Sequence, residues 1–164
     1  MTEGHPDGDG YALLDFGEGR KLERFGAVIA VRPAPAAETA RSLDSAAWDA
    51  AGAEFVRTVS GPGEWRFRAE LPDPWKATSG GTEFLLAPTP SGGVGWFPEQ
   101  QPLRSRMAER LRAAALRVPG ATTRPRVLDL FGHTGGSAMA AAGAGAEVTM
   151  VDGARGTIGW ARRN

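Results

Sequence analysis

The feature that most constrains the fold of this chain is the stretch VLDLFGHTGGSAMAAAGAGAEVTMVD at residues 127–152. It contains a short apolar run, a glycine-rich turn, a segment of small residues, a second apolar run and a final aspartate. A short and almost wholly apolar run is typical of a parallel strand that is covered on both faces. The stretch therefore predicts a strand–helix–strand unit of an α/β fold.

The glycine turn has the form G-x-x-G-G, with Gly132, Gly135 and Gly136. Glycines let the backbone come close to a ligand because they carry no Cβ, and the start of the following helix offers free N–H groups. The dinucleotide fingerprint G-x-G-x-x-G is not matched, and no Lys-Ser/Thr pair follows the glycines as it does in a phosphate loop. The turn therefore indicates a nucleoside-like ligand without a polyphosphate.

Two aspartates complete this predicted site. Asp152 follows the second strand, where a carboxylate can accept hydrogen bonds from both hydroxyls of a ribose. Asp129 lies inside the first strand, where a carboxylate is costly unless it meets loop amides or the amine of a ligand's amino-acid tail. Together they predict a site for S-adenosylmethionine. The alternative is a plain tight strand–helix connection without a ligand, and the presence of Asp152 favours the nucleoside site.

The composition limits the other possibilities. Lys+Arg and Asp+Glu both number 19, so the formal net charge of zero gives no general attraction to nucleic acid or membranes. The absence of cysteine excludes disulfides, thiolate zinc sites and a cysteine nucleophile within the chain. No apolar run reaches about eighteen residues, and the first residues are polar and acidic, unlike a signal peptide. We expect a cytoplasmic protein without a membrane partner.

No metal site is expected in this chain. His133 is predicted to be a loop residue rather than a metal ligand, because the other histidine, His5, lies in a predicted tail. The five tryptophans are predicted to lie mainly in the core, and base stacking is the alternative for them.

Three parts are predicted along the chain. Residues 1–10 are a disordered tail, residues 11–97 a small β-rich module, and residues 98–164 the incomplete start of a Rossmann-like domain. Apolar runs bounded by turn residues predict strands at residues 11–16, 21–25, 27–31, 64–68, 75–78 and 82–86. A weak helical pattern at residues 42–51 has Ser42 or Asp44 as its possible cap.

A helix is also predicted after Pro98, ending at Pro119-Gly120. Helical spacing gives it one apolar face, and its arginines are expected on a solvated face rather than in an RNA groove. The residues of the apolar face are Leu103, Met107, Leu111, Ala115 and Val118, and the arginines are Arg104, Arg106, Arg110, Arg112 and Arg117.

Residues 127–152, with IGWARRN at residues 158–164, resemble the first ligand-binding motifs of class I S-adenosylmethionine-dependent methyltransferases. More narrowly, the chain resembles the branch related to ribosomal RNA cytosine-C5 methyltransferases. Three further stretches are similar to segments that precede the methyltransferase domain in that branch: LLDFGEGRKLERFG, GEWRFR and GWFPEQ. The resemblance covers most of residues 11–164.

The resemblance implies a set of residues that bind S-adenosylmethionine. The motif around the methionine part of this cofactor corresponds to Asp129, Phe131, Gly132, His133, Thr134, Gly135 and Gly136. The acid that binds the ribose corresponds to Asp152. The segment that leads into the domain and lies near the cofactor pocket corresponds to Phe97, Pro98, Glu99 and Gln100.

The family's catalytic segment, an Asp-Pro-Pro-type loop after the fourth strand, does not occur in these 164 residues. The Asp-Pro pair in LPDPW, at residues 71–75, precedes the cofactor motif. The resemblance therefore implies the N-terminal portion of a methyltransferase, inactive by itself, with its catalytic residue beyond Asn164. It also implies an RNA substrate, most plausibly a base of ribosomal RNA, while methylation of a small molecule or a protein stays open. Two alternatives stay open: a nicotinamide-dependent Rossmann oxidoreductase, and a non-catalytic RNA-binding protein with a vestigial nucleotide fold.

Overall fold

A computed structural model describes residues 10–58, 61, 63–116 and 124–164. The predicted tail, except for Gly10, lies outside the described residues. The chain forms two compact units: the first contains the residues up to Thr78 and Leu85–Gly95, and the second contains Ser79–Phe84 and Trp96–Asn164. The part of the chain that the structure describes contains no helix both long and apolar enough to cross a bilayer.

The first unit is built on a five-stranded sheet with the strands in chain order. Only β3 and β4 pair in parallel, and the other neighbours are antiparallel. The predicted strands are present, whereas β4 was not predicted from the sequence. The strands are β1 Tyr11–Gly17, β2 Arg20–Phe25, β3 Val28–Pro33, β4 Ala53–Val56 and β5 Glu64–Phe67.

A short helix, α1 (Ser45–Asp49), lies in the connection between β3 and β4. It is capped by Asp44, whose side chain accepts a hydrogen bond from the Ala47 amide at 2.9 Å. Of the two predicted caps, Ser42 and Asp44, the helix therefore uses Asp44. Trp48 of this helix is buried in one cluster with Leu22 and Val31 from β2 and β3. The helix therefore covers one face of the sheet.

Two buried carboxylates fix this unit. A break in register within β1 turns Asp15 inward, where it accepts hydrogen bonds from the amides of Ser42 and Leu43 and from Trp48 Nε1. Glu23 is fully buried and accepts two hydrogen bonds from the Arg32 guanidinium, at 2.7 and 2.9 Å. Buried charges need such partners, so both carboxylates tie distant segments together.

A two-stranded sheet follows, made of β6 (Trp75–Ser79) and β7 (Thr82–Leu86). The connection is Gly80-Gly81, and both residues have a positive φ, 58° and 77°. Such angles cost glycine little, which is why two glycines stand at this turn. The predicted hairpin is confirmed.

The second unit contains the predicted strand–helix–strand segment. β8 and β9 pair in parallel, so that Leu130 and Val151 lie side by side at their carboxyl ends. Helix α3 packs on both strands and against α2. The α/β fold class is thereby confirmed. The elements are a 3-10 helix Pro98–Gln100, α2 Gln101–Leu116, β8 Arg126–Leu130, α3 Gly136–Gly143, β9 Glu147–Val151 and α4 Arg155–Ala161.

One face of the β8–β9 pair is open among the described residues. Leu128 and Leu130 of β8 are 61 % and 56 % exposed, and Val151 of β9 is 48 % exposed. The side chains that alternate with these along the two strands, including Asp129, are only partly exposed. They lie on the face against which α3 packs. Within the described segments, neither strand has a second neighbouring strand.

The predicted apolar face of α2 is confirmed only in part: Met107 and Leu111 are partly buried, and Arg106, Arg110 and Arg112 are exposed as predicted. Leu103 is 68 % exposed, whereas Arg104, assigned to a solvated face, is 5 % exposed and lies with Ala108 on the buried face. The reason lies in another element, because Gly136 of α3 carries no side chain and leaves room for the guanidinium. The side chain of Ala115 and the residues Arg117, Val118, Pro119 and Gly120 lie outside the described part.

Candidate cofactor site

The glycine loop begins where β8 ends and is held to the end of β9. Gly132 N donates to the Val151 carbonyl at 3.1 Å, and Gly135 N donates to the Gly132 carbonyl at 2.8 Å. Three of its residues have left-handed backbone angles: Phe131 at φ 59°, His133 at 49° and Gly135 at 90°. The two non-glycine residues are unusual in this region, and such strain occurs mostly at functional sites.

Two glycines of this segment make room for neighbouring side chains. A Cβ on Gly132 would collide with the side chain of Met150 in β9. A Cβ on Gly136 would lie 2.7 Å from Nη2 and 2.8 Å from Cζ of Arg104. The glycines thus allow the loop and the start of α3 to pack closely against β9 and α2.

Asp152 follows β9 and faces the loop from the other side. Its Oδ2 accepts from the His133 amide at 2.9 Å, and its Oδ1 accepts from the Ala154 amide at 2.8 Å and from Thr157 Oγ1 at 3.1 Å. The Ala154 and His133 amides lower the pKa of Asp152, so it is ionised at neutral pH. A carboxylate has about four acceptor positions, so capacity for a further donor remains.

Asp129 and Arg104 are two opposite charges without full hydrogen bonding. Burial raises the pKa of Asp129, while the Ala138 amide and the charge of Arg104 act against this. Its Oδ2 is buried without a hydrogen-bond partner, as are Nε and Nη1 of Arg104. Nη2 of the guanidinium donates a hydrogen bond to Gln100 Oε1 at 3.2 Å. Unsatisfied buried groups are costly and require an explanation.

His133 joins the loop to the segment before α2. Its ring lies 5.0 Å from the ring of Phe97, and its Nδ1 lies 3.2 Å from Thr134 Oγ1. Burial lowers the pKa of His133, although the charge of Asp152 acts against this. The imidazole is therefore neutral at physiological pH and supplies a ring and a polar edge rather than a charge.

These groups line one cavity of about 330 Å³ in the second unit. Most of the predicted site residues meet there: Phe97, Gln100, Asp129, Phe131, Gly132, His133, Thr134, Gly136 and Asp152. Three do not line it. Gly135 is the N-terminal cap of α3, Pro98 is buried, and Glu99 is exposed on the 3-10 helix. Two lining residues, Arg104 and Ser137, were not predicted. The i, i+4 spacing of Gln100 and Arg104 could have indicated the first.

A larger groove exists in the first unit, with a volume of about 720 Å³. Apolar residues and the exposed carboxylates Glu70 and Asp73 line it, but none of the unpartnered buried polar atoms does. The larger volume of this groove therefore does not make it the better candidate for the cofactor site. Among the described residues, no group of three His, Cys, Asp or Glu side chains could hold a metal ion.

The sequence and the fold of the chain can be compared with those of known proteins. No family model and no curated protein matches the chain. A solved S-adenosylmethionine-dependent methyltransferase from Agrobacterium tumefaciens is 37 % identical to it, over 98 % of this chain and 48 % of that protein, with a TM-score of 0.82. The chain has a methyltransferase fold. It spans about half the length of the solved structures that it matches.

Two more distant structures share this methyltransferase fold, each at 16 % identity and a TM-score of 0.68. One is a proposed S-adenosylmethionine-dependent methyltransferase from Streptococcus mutans, covering 97 % of this chain and 43 % of that protein. The other, a proposed methyltransferase in complex with S-adenosylhomocysteine (SAH), covers 97 % and 42 %. The resemblance to the class I methyltransferase superfamily is confirmed at the level of the fold.

Proposed function

We propose that this chain is the cofactor-binding part of an S-adenosylmethionine-dependent methyltransferase. The observation that carries the proposal is the single cavity at the carboxyl ends of β8 and β9, where Asp129, the glycine loop and Asp152 meet. Ligands of open α/β sheets bind at this end of the strands. The 37 % identity to a methyltransferase supports the assignment.

The residues present fit this cofactor. Asp129 offers a buried and unpartnered carboxylate oxygen, which suits the cofactor's ammonium group. Asp152 is ionised and retains acceptor capacity for ribose hydroxyls. The loop between them carries no lysine, in agreement with a ligand that has no phosphate. His133 and Phe97 offer rings at the edge of the cavity.

The cofactor supplies a methyl group already activated by its sulfonium. The protein therefore has to bind and orient the cofactor and the acceptor and to exclude water. It does not have to create a strong nucleophile. In this chain, Asp152 and Asp129 would fix the two polar ends of the ligand, and the strained loop would define the wall between them. Pre-organised polar groups of this kind give orientation without further rearrangement.

A full-length sample tests the proposal by calorimetry. We expect saturable binding of SAH and no binding of NAD, with methyl transfer from labelled S-adenosylmethionine in the presence of the acceptor. Saturable NAD binding without SAH binding would instead support the oxidoreductase. RNA binding without SAH binding or methyl transfer would support the non-catalytic alternative.

We further propose that the acceptor is an RNA base, as in the cytosine-C5 branch, and that the protein acts in the cytoplasm. The support is the similarity of residues 13–26, 63–68 and 95–100 to that branch. In addition, β5 presents Trp65 and Phe67 as stacked rings 6.0 Å apart, and Phe67 is 46 % exposed. Unpaired bases stack on such aromatic faces.

Fluorescence anisotropy with a labelled single-stranded RNA tests this acceptor class. Phe67→Ala should weaken RNA binding by roughly five- to a hundredfold, since one base–aromatic stack contributes about 1–3 kcal/mol. Phe16→Ala is the matched control, because Phe16 is 49 % exposed on β1. Both variants should bind SAH like the parent protein. Equal RNA affinity of the two variants would remove the stacking role.

A further inference from the structure

The outward face of α2 carries two arginines that have no ion-pair partner among the described residues. Arg106 and Arg110 are both exposed and lie about one helical turn apart. Neither forms an ion pair or a side-chain hydrogen bond within the described part of the chain. Because like charges at this spacing repel each other, the pair slightly disfavours the helix.

The charged residues of the two units are organised differently. The chain as a whole has equal numbers of basic and acidic residues, yet all six ion pairs found among the described residues lie in the first unit. Helix α2 of the second unit contains four arginines and a single acidic residue, Glu109. The zero net charge of the chain therefore conceals a local excess of positive charge on this helix.

The fold itself does not require arginine at these two positions. The buried side of α2 is formed by Arg104 and Ala108, whereas Arg106 and Arg110 extend into solvent. Glutamine has a helix propensity close to that of arginine, so a neutral residue would maintain the helix equally well. Two exposed guanidiniums are instead suited to bind a polyanion, because their donors match phosphate oxygens in pairs.

The arginine face begins close to the candidate cofactor site. Phe97 and Gln100 line the cavity and lie directly before α2 in the chain. Arg106 follows Gln100 by six residues, which corresponds to roughly 9 Å along a helix axis. A nucleic acid strand that is bound by Arg106 and Arg110 can therefore reach the cavity with a neighbouring nucleotide.

We propose that Arg106 and Arg110 bind the phosphate backbone of the RNA acceptor and so position its target base at the cavity. This rests on the proposed function, because it names the part of the RNA that the second unit holds. Phosphate contacts fix register and orientation, whatever the base sequence. RNA suits this face better than an acidic protein does, because α2 contains no aromatic residue of the kind enriched in protein interfaces.

The salt dependence of RNA binding by the full-length protein tests the proposal. Fluorescence anisotropy with a fluorescein-labelled oligouridylate gives the association constant K over a series of salt concentrations. Each phosphate contact with a single strand contributes about 0.7 to the slope of log K against log[salt]. Arg106→Gln/Arg110→Gln should therefore reduce this slope by about 1.4. Its affinity at low salt should fall about tenfold or more, because two charge-assisted contacts are lost.

Three further variants separate a specific contact from a general effect of charge. Arg124→Gln/Arg126→Gln removes the same charge at two exposed arginines at the amino end of β8, opposite the cavity, and should keep the parent slope. Arg106→Lys/Arg110→Lys keeps both charges and should also keep the slope. Phe67→Ala should lose affinity with an unchanged slope, because stacking on a ring releases no counterions.

The possible outcomes distinguish this proposal from the proposed function. Parent-like RNA binding by Arg106→Gln/Arg110→Gln would overturn it and leave an acidic protein as the partner of this face. An equal loss of slope in Arg124→Gln/Arg126→Gln would also overturn it, because only the net charge would then matter. If the parent protein binds SAH but not the RNA, the RNA acceptor itself is wrong. All variants should bind SAH like the parent, which shows that they are folded.

Discussion

The backbone amide of His133 donates a 2.9 Å hydrogen bond to Oδ2 of Asp152, which joins the glycine loop to the end of the neighbouring strand. The other oxygen of the same carboxylate, Oδ1, accepts a hydrogen bond from the Ala154 amide. Asp152 therefore holds two backbone segments at the mouth of the cavity. It organises the loop in addition to any contact with a ribose.

Removing this carboxylate should weaken cofactor binding. Asp152→Ala removes acceptors for the loop and for the ribose, and we expect SAH affinity to fall by on the order of tenfold or more. Asp152→Asn keeps one carbonyl oxygen and should lose less. Calorimetry measures both, with Glu147→Ala at the exposed far end of β9 as the control. Unchanged affinity in both Asp152 variants would contradict the ribose assignment.

Gly136→Ala should affect ligand binding more than stability. The new Cβ would lie within 3 Å of the Arg104 guanidinium, which can move because it is the end of a flexible side chain. SAH affinity should fall several-fold, while the melting temperature changes little. Gly143→Ala, in the same helix with nothing within 4 Å of its Cβ, is the control. It should stabilise the protein by about 0.5–1 kcal/mol and leave binding intact. Equal SAH affinity of the two variants would show that Gly136 is not needed for the guanidinium.

Glu23→Gln should strongly destabilise the first unit. The variant leaves the Arg32 guanidinium, whose side chain is 14 % exposed, without the carboxylate of the fully buried Glu23, and breaking one partner of a buried pair costs about 3–5 kcal/mol. The exposed pair of Glu64 and Arg66 provides the comparison, because Glu64→Gln should cost less than about 1 kcal/mol. Urea unfolding followed by circular dichroism measures both. Similar midpoints for the two variants would be inconsistent with the packing of β2 and β3.

Asp15 should contribute stability that disappears in acid. The Leu43 amide lowers its pKa, as do the Trp48 indole and the Ser42 amide, although burial acts against them. A carboxylate with a lowered folded pKa stabilises the protein above its unfolded pKa, about 3.9, and this stability is lost as the pH falls through the folded pKa. Asp15→Asn should lower the melting temperature at pH 7 by on the order of 5 °C.

The pH series distinguishes this carboxylate from others in the chain. Asp15→Asn should also flatten the decrease in melting temperature as the pH falls below the unfolded pKa of about 3.9. Asp49→Asn, an exposed aspartate at the end of α1, should follow the parent protein at every pH. A parallel acid decrease in the parent and in Asp15→Asn would rule out this role of Asp15.

The open face of β8 and β9 should make the 164-residue chain prone to self-association. Leu128, Leu130 and Val151 form a contiguous apolar face, and the outer edges of both strands have free backbone groups among the described residues. Replacing Leu128 and Leu130 by lysine should reduce the apparent mass in light scattering. Leu103→Lys, at an exposed single leucine of α2, should have no such effect.

The candidate site was predictable to the extent that it depends on local pattern and sheet topology. Asp129 and Asp152 follow from one rule, because the carboxyl ends of adjacent parallel strands meet at one edge. Arg104 was missed, since charge alone assigned it to the solvent. Its burial depends on the missing side chain of Gly136, which belongs to another element.

The fold shows the same division between local and distant information. The hairpins of the first unit follow from turn residues and alternating apolar positions. Strand β4 was missed because it has only four residues and pairs in parallel with β3 through Ala30 and Ala53, which are far apart in the chain. Asp15 in β1 gave no indication of its inward position, which results from a break in register.

The chain order of the two units has a consequence for protein synthesis. Leu85–Gly95 belongs to the first unit, yet it leaves the ribosome after Ser79–Phe84, which belongs to the second. This late segment supplies the Gly92 carbonyl to Arg32 and the Thr89 carbonyl to Trp65. The first unit therefore cannot complete its hydrogen bonding during translation until part of the second has emerged. Any expressed fragment that stops before residue 89 should lack both anchors and be degraded faster than one that includes them.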